Sequence, residues 1–212
     1  GCVVTRDPDS GVRNVGTYRV QIKGPRKLGL FINYLQGGRD HVERNNRARK
    51  PTPVAIVMGT DPVVGLVSVS RVQADMDELA VAGGLRGEAV QVVRCQTVDL
   101  EVPATSEVVI EGIIRANELE NEGPFGEYTG YMGPAAMSYV VDVTCITHRN
   151  RPIVQAFLSQ MPPSESSCIR SIGRESTLAK HLKEDLHLPV RDVHLLEHSG
   201  YAVRPDEFYL RQ

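Results

Sequence analysis

Apolar and polar positions alternate along much of this chain, and alternation outweighs helical repetition. Residues 17–23 (TYRVQIK) alternate strictly and 28–35 (LGLFINYL) form an apolar run, which together predict two paired strands turning at Gly24-Pro25. Residues 53–59 (PVAIVMG) predict a short buried strand. Further strands are expected at 89–95 (AVQVVRC), 107–114 (EVVIEGII), 138–147 (SYVVDVTCIT) and 153–158 (IVQAFL). Helical spacing is rarer. The polar stretch 37–50 carries a helix or a loop, and DPVVGLV from Asp61 fits a strand or a helix start. DMDELAVAGGLRG, ending at Gly87, predicts a helix closed by glycine. After Pro162-Pro163, Ser164 caps a helix whose apolar positions Ile169, Ile172, Leu178 and Leu182 lead towards Leu186. A last strand is expected at 190–197 (VRDVHLLE), and the tail 200–212 reads as the start of a linker. There is no internal repeat. Many strands and few helices predict an α+β fold with an antiparallel, barrel-like sheet at its core.

Composition adds mainly exclusions. A chain of 212 residues with 41% hydrophobic content can bury a substantial core. Its 24 basic and 26 acidic residues are interspersed, so no electrostatic footprint for nucleic acid or an anionic membrane surface is present. Cys2, Cys95, Cys145 and Cys168 lack CxxC spacing, and no signal peptide or long apolar span is evident. A reduced, cytoplasmic protein is expected. The opening GCVVTRDPDSG is polar and rich in turn residues, and reads as the interior of a longer sequence.

The most unusual segment is EGPFGEYTGY, from Glu122 to Tyr131. Two carboxylates flank glycine and proline, which give a short loop preset turns, so both acids can be held in one geometry suited to proton transfer. Spacing alone favours a polar surface turn with two solvated glutamates. Upstream, NVGTYRVQIK places Arg19 on a strand after Asn14; an arginine can clamp a carboxylate through two nitrogens, although a surface arginine is the commoner case. Glu78, in DELAVAGGLRG, lies on a predicted helix, where a place on the solvated face is the plain alternative.

Together these segments resemble the UbiD family of reversible decarboxylases. The acid, Gly-Pro-Phe-Gly, acid pattern is intact at Glu122 to Glu127, followed by TGY. TRDPDSGVRNVGTYRVQIKGPRKLG, VRCQTVDLEVPATSEVVIEG and THRNRPIVQAFLSQMPPSE look like family blocks in family order. The resemblance implies a flavin-reductase-like split β-barrel with flanking helices. Residues 1–163 would form a prenylated-FMN-binding catalytic core and 164–212 a helix and final strand completing it, with the N- and C-terminal domains of the parent enzyme absent.

By the same resemblance Arg19, Glu122 and Glu127 are the catalytic constellation, with Glu127 exchanging a proton with the substrate carbon. The cofactor is prenylated FMN, its phosphate held through Mn2+ or Mg2+ with K+ nearby. Asn14 and Glu78 match two metal-ligand positions, and their oxygens suit a hard cation. The third position falls on Gln36 where relatives carry a histidine, so Gln36, a water or a shifted His41 would complete the site. Tyr18, Ser68 and Ser159 match further cofactor-contacting positions. The implied reaction is non-oxidative (de)carboxylation of an aromatic or α,β-unsaturated acid. The alternative is a non-catalytic flavin-binding or assembly subunit of a carboxylase complex. Implied partners are a small carboxylic acid, a flavin prenyltransferase supplying cofactor, and further copies in a homo-oligomer; neither nucleic acid nor a membrane span is expected.

Overall fold

The computed structural model describes residues 1–34, 36–70, 72–73, 75–127 and 130–195. Contacts divide the chain into two units, one of residues 1–68, 72–124 and 134–155, the other of 69–71, 125–133 and 156–212.

The first unit is built on an antiparallel sheet. Its strands in chain order are β1 (Cys2–Arg6), β2 (Arg13–Thr17), β3 (Arg19–Gly24), β4 (Lys27–Phe31), β5 (Thr52–Met58), β8 (Val108–Glu122) and β9 (Ala136–His148); β6 (Val92–Arg94) and β7 (Glu101–Pro103) pair separately. The spatial order is β2-β1-β5-β8-β9-β4-β3. The two edge strands, β2 and β3, are joined by Tyr18 alone. Neighbouring Cα atoms lie only about 3.8 Å apart, so the sheet has to curl until its edges meet at this corner. That curl makes the sheet barrel-like, as the alternation predicts.

Strands β1 and β5 read as apolar runs because both their faces are covered. Val4, Val15, Ala55 and Val57 pack with Val64, Val67, Leu79 and Ala82 of helices α2 (Pro62–Ser68) and α3 (Glu78–Arg86). The alternate residues Val3, Val54 and Ile56 pack with Leu30, Ile114, Tyr139 and Val42, the last from helix α1 (Gly37–Arg47). Asp77 caps α3 by accepting from Leu79 N at 2.8 Å, and Gly87 closes it at φ 78°, a conformation that favours glycine. In the second unit, α4 (Glu165–Lys180) begins with a reciprocal cap between Ser164 and Ser167, and a wider helical turn, His181–Asp185, extends it.

Several expectations are corrected. Strand β1 lies in the opening stretch read as turns; its CVVT is fully buried, and only the DPDSG that follows is a turn. Two open readings are resolved as helix: the 37–50 stretch carries α1 (Gly37–Arg47), and DPVVGLV leads into α2 (Pro62–Ser68). Strand β8 runs eight residues beyond the expected 114, because its polar second half pairs with β9 after a bulge between Ile114 and Leu119. IVQAFL is not a strand: Ile153 is 81% exposed and its N–H goes to the Glu107 carboxylate, so its apolar residues have no ladder to join. The strand expected at 190–197 is reduced over 190–195 to a single bridge residue, His194; its last two residues and the tail 200–212 lie outside the described residues.

Glu111 in β8 is a buried carboxylate with a structural use. It is 1% exposed and accepts from Gln96 N (2.8 Å), Thr97 N (2.6 Å) and Thr97 Oγ1 (2.7 Å), pinning the loop between β6 and β7. Burial raises its pKa, but the donors of residues 96–98 outweigh burial and hold it below the usual value. A depressed carboxyl contributes stability above its unfolded pKa and loses it as pH falls through the folded value. Glu111→Gln is therefore expected to cost about 1–3 kcal/mol in urea unfolding at neutral pH, with the deficit shrinking on acidification. An unchanged midpoint at neutral pH would contradict this.

Candidate active site

The face of β3 that carries Arg19 looks onto the end of β8. Arg19 opposes Phe31 across the β3–β4 ladder and stacks over its ring, 4.6 Å from the centroid. From there Arg19 Nε donates to Glu122 Oε1 at 2.9 Å, and a terminal guanidinium nitrogen donates to the same oxygen. Glu122 is the last residue of β8, pairs with Ala136 and is 1% exposed; the Arg19 side chain stays 30% exposed. Glu122 Oε2 has no hydrogen-bond partner among the described residues. A buried carboxylate of this kind is expensive unless a cation neutralises it, and Arg19 supplies that cation from a side chain that is only partly buried. Gly123 at φ 76° turns the chain immediately afterwards.

Glu127 belongs to the second unit. It sits half-buried in a tight loop in which Gly133 N donates to Phe125 O (2.8 Å), Glu127 N to Tyr131 O (2.8 Å) and Gly130 N to Glu127 O (3.0 Å). Gly133 leaves room for the acid: a Cβ there would lie 3.1 Å from Glu127 Cγ and 3.2 Å from its Oε1. The Gly-Pro-Phe-Gly segment thus ends in a loop shaped around a carboxylate.

A second cluster of the first unit lies at the β2 edge. Asn14 Nδ2 donates to Glu78 Oε1 at 2.6 Å and Val15 N to Glu78 Oε2 at 3.0 Å. Tyr18 OH donates to Asn14 Oδ1 at 2.6 Å and accepts from Gly38 N at 3.1 Å. Next to them Arg13 donates twice to Asp77 Oδ2, at 2.8 and 3.1 Å, so consecutive residues of β2 grip consecutive residues at the start of α3. Burial pushes the Glu78 carboxyl up against the lowering pull of the Val15 and Asn14 donors. A divalent cation would offset that cost. Sequence reasoning missed Arg13 and Asp77 as supports; the signal was Asp77 in the N-cap position directly before an apolar helix.

The expected third ligand is not gathered there. Gln36 Oε1 accepts from Asn33 N at 2.8 Å, within its own turn. His41 is buried on α1 with Nδ1 2.9 Å from Thr5 Oγ1 and Nε2 4.0 Å from Asp7, and burial lowers its pKa. Asn14 and Glu78 remain a fitting pair of hard oxygen donors, since Mg2+-like ions commonly complete their shell with phosphate and water. Ser68 Oγ shares a 2.7 Å hydrogen bond with Thr17 Oγ1, at the same corner. Ser159 lies in the second unit and accepts from Ser166 Oγ at 3.0 Å.

Comparison with known proteins identifies relatives of this fold. The UbiD family model, described as the 3-octaprenyl-4-hydroxybenzoate carboxy-lyase Rift-related domain, matches residues 1–162. An uncharacterized Synechocystis protein, sll0936, is 36% identical over 79% of this chain and 33% of its own length. An evolved dimeric form of the UbiD-class enzyme HmfF from Pelotomaculum thermopropionicum, solved with prFMN, is 39% identical at a TM-score of 0.85, covering 93% of this chain and 45% of that one. Vanillic acid decarboxylase from Sedimentibacter hydroxybenzoicus is 33% identical at a TM-score of 0.86, covering 91% of this chain and 42% of that one. The chain spans a third to under half of the relatives it matches. No described helix is long and apolar enough to cross a membrane. With the family model matched from the first residue of β1 past the end of β9, this chain belongs to the UbiD family of carboxy-lyases.

Proposed function

We propose that this chain provides the catalytic core for reversible, non-oxidative (de)carboxylation of an aromatic or α,β-unsaturated acid, with prenylated FMN as cofactor. The observation that carries the reading is the Arg19–Glu122 pair, a fully buried carboxylate neutralised by an arginine that is still partly open. When bound, prenylated FMN supplies the electron sink that loss of CO2 requires and that amino-acid side chains lack. In this reading the exposed part of the Arg19 guanidinium receives the substrate carboxylate. Glu122 holds the guanidinium in place from behind, and the Phe31 ring supports it from the side. Glu127 delivers a proton to the substrate carbon in decarboxylation and removes it in carboxylation. Asn14 and Glu78 hold the Mn2+ or Mg2+ that binds the flavin phosphate.

Flavin binding is supported by the HmfF relative, solved with prFMN, and the acid class by the vanillic acid decarboxylase. A flavin prenyltransferase as supplier, a homo-oligomer and a cytoplasmic location belong to the same proposal. The engagement of Gln36 within its own turn favours a second reading, a UbiD-like subunit that binds flavin or assembles without turning over.

Two outcomes separate these readings. With prenylated FMN loaded, Glu127→Gln is expected to lower decarboxylation of a panel of aromatic and α,β-unsaturated acids by about 100-fold or more while flavin binding is retained; equal rates in wild type and variant would remove Glu127 from the chemistry. Arg19→Ala leaves Glu122 buried without its cation and is expected to cost about 3–5 kcal/mol in urea unfolding. Adding Glu122→Leu should recover most of that loss. If Arg19→Ala matches the wild type in stability, the pair does not hold the site as described.

A further inference from the structure

Asparagine coordinates a cation only through its carbonyl oxygen, yet rotation about its last side-chain bond exchanges that oxygen for an NH2 group. At the β2 edge the choice is made by neighbours. The nitrogen end of Asn14 is committed to Glu78 Oε1, and the oxygen end is held by Tyr18 OH. The hydroxyl has a defined sense, because Gly38 N donates to it and its own proton is left for Asn14 Oδ1. A carbonyl oxygen has two lone pairs, so one stays open to a cation.

The ring is as firmly placed as the hydroxyl. A Cβ at residue 16 would fall 2.3 Å from Tyr18 Cζ and one at residue 38 would fall 2.8 Å from its Cε2, so both glycines are occupied by the ring. A Cβ at residue 38 would also come within 3.1 Å of Asn14 Oδ1.

We infer that Tyr18 is a positioning residue whose hydroxyl fixes the Asn14 carboxamide with its oxygen presented to the cation that carries the flavin phosphate. The inference rests on the functional reading above and goes beyond it, since Tyr18 acts here through Asn14 and not by touching the flavin. Gly16 and Gly38 are then explained together, as the space this tyrosine needs.

The test is a double-mutant cycle read by binding, with FMN and Mn2+ as the probe. Flavin fluorescence and Mn2+ EPR titrations would be run on wild type, Tyr18→Phe, Asn14→Ala and the double variant, with circular dichroism to establish folding. Tyr18→Phe keeps the ring and is expected to weaken FMN–Mn2+ binding by about 3- to 10-fold, the loss of one hydrogen bond. In the Asn14→Ala background the same change should have no further effect. Gly38→Ala, which crowds the hydroxyl without removing it, should reproduce the loss and serves if Tyr18→Phe does not fold. Unchanged binding in Tyr18→Phe, or the same fold-loss in both backgrounds, would overturn the inference while leaving the functional reading standing. Failure of the wild type to bind FMN with Mn2+ would overturn both.

Discussion

One residue joins the two edges of the main sheet. Strands β2 and β3 stand at opposite ends of the strand order but are separated in sequence only by Tyr18, so the sheet has no freedom to lie open. The corner also fixes what stands beside it. Asn14 and Val15 precede it and meet Glu78 at the start of α3; Arg19 follows it and meets Glu122 at the end of β8. Sheet closure therefore keeps the Asn14–Glu78 pair and the Arg19–Glu122 pair within a few residues of one turn.

The two clusters solve different electrostatic problems. Glu122 is removed from water and neutralised by a single guanidinium, which leaves it dependent on Arg19. Glu78 is less deeply placed and is held by neutral N–H donors, so its charge remains unbalanced and suited to a divalent ion. Glu111, as deeply buried as Glu122, accepts from the donors of one loop and serves the fold. Burial alone does not distinguish Glu111 from Glu122; what each oxygen meets does.

Much of this was legible in the sequence, for identifiable reasons. Helix α3 and its end were legible because Gly87 has the local chemistry that dictates a stop, whereas its start at the Asp77 cap was not singled out. The hairpin β3–β4 and strand β5 followed from alternation and an apolar run. Strand β1 was hidden because four buried residues lie beside a turn, and the second half of β8 because its polar residues pair without an apolar face. IVQAFL shows the opposite failure: apolar, β-branched residues announce a strand, but only a partner edge can make one. Of the proposed site, the motif singled out the acids and Arg19, whereas the gripping of α3 by Arg13 and Asn14 is a long-range arrangement that no local pattern carries.

The central claim is that this sheet is a prenylated-FMN site, and native mass spectrometry of the flavin it retains tests that most directly. The protein would be co-expressed with a flavin prenyltransferase in manganese-containing medium and purified without added cofactor. The account predicts one prenylated FMN per chain, lost in an Asn14→Ala, Glu78→Ala double variant. Flavin-free protein under those conditions, or retention unaffected by the double variant, would contradict it.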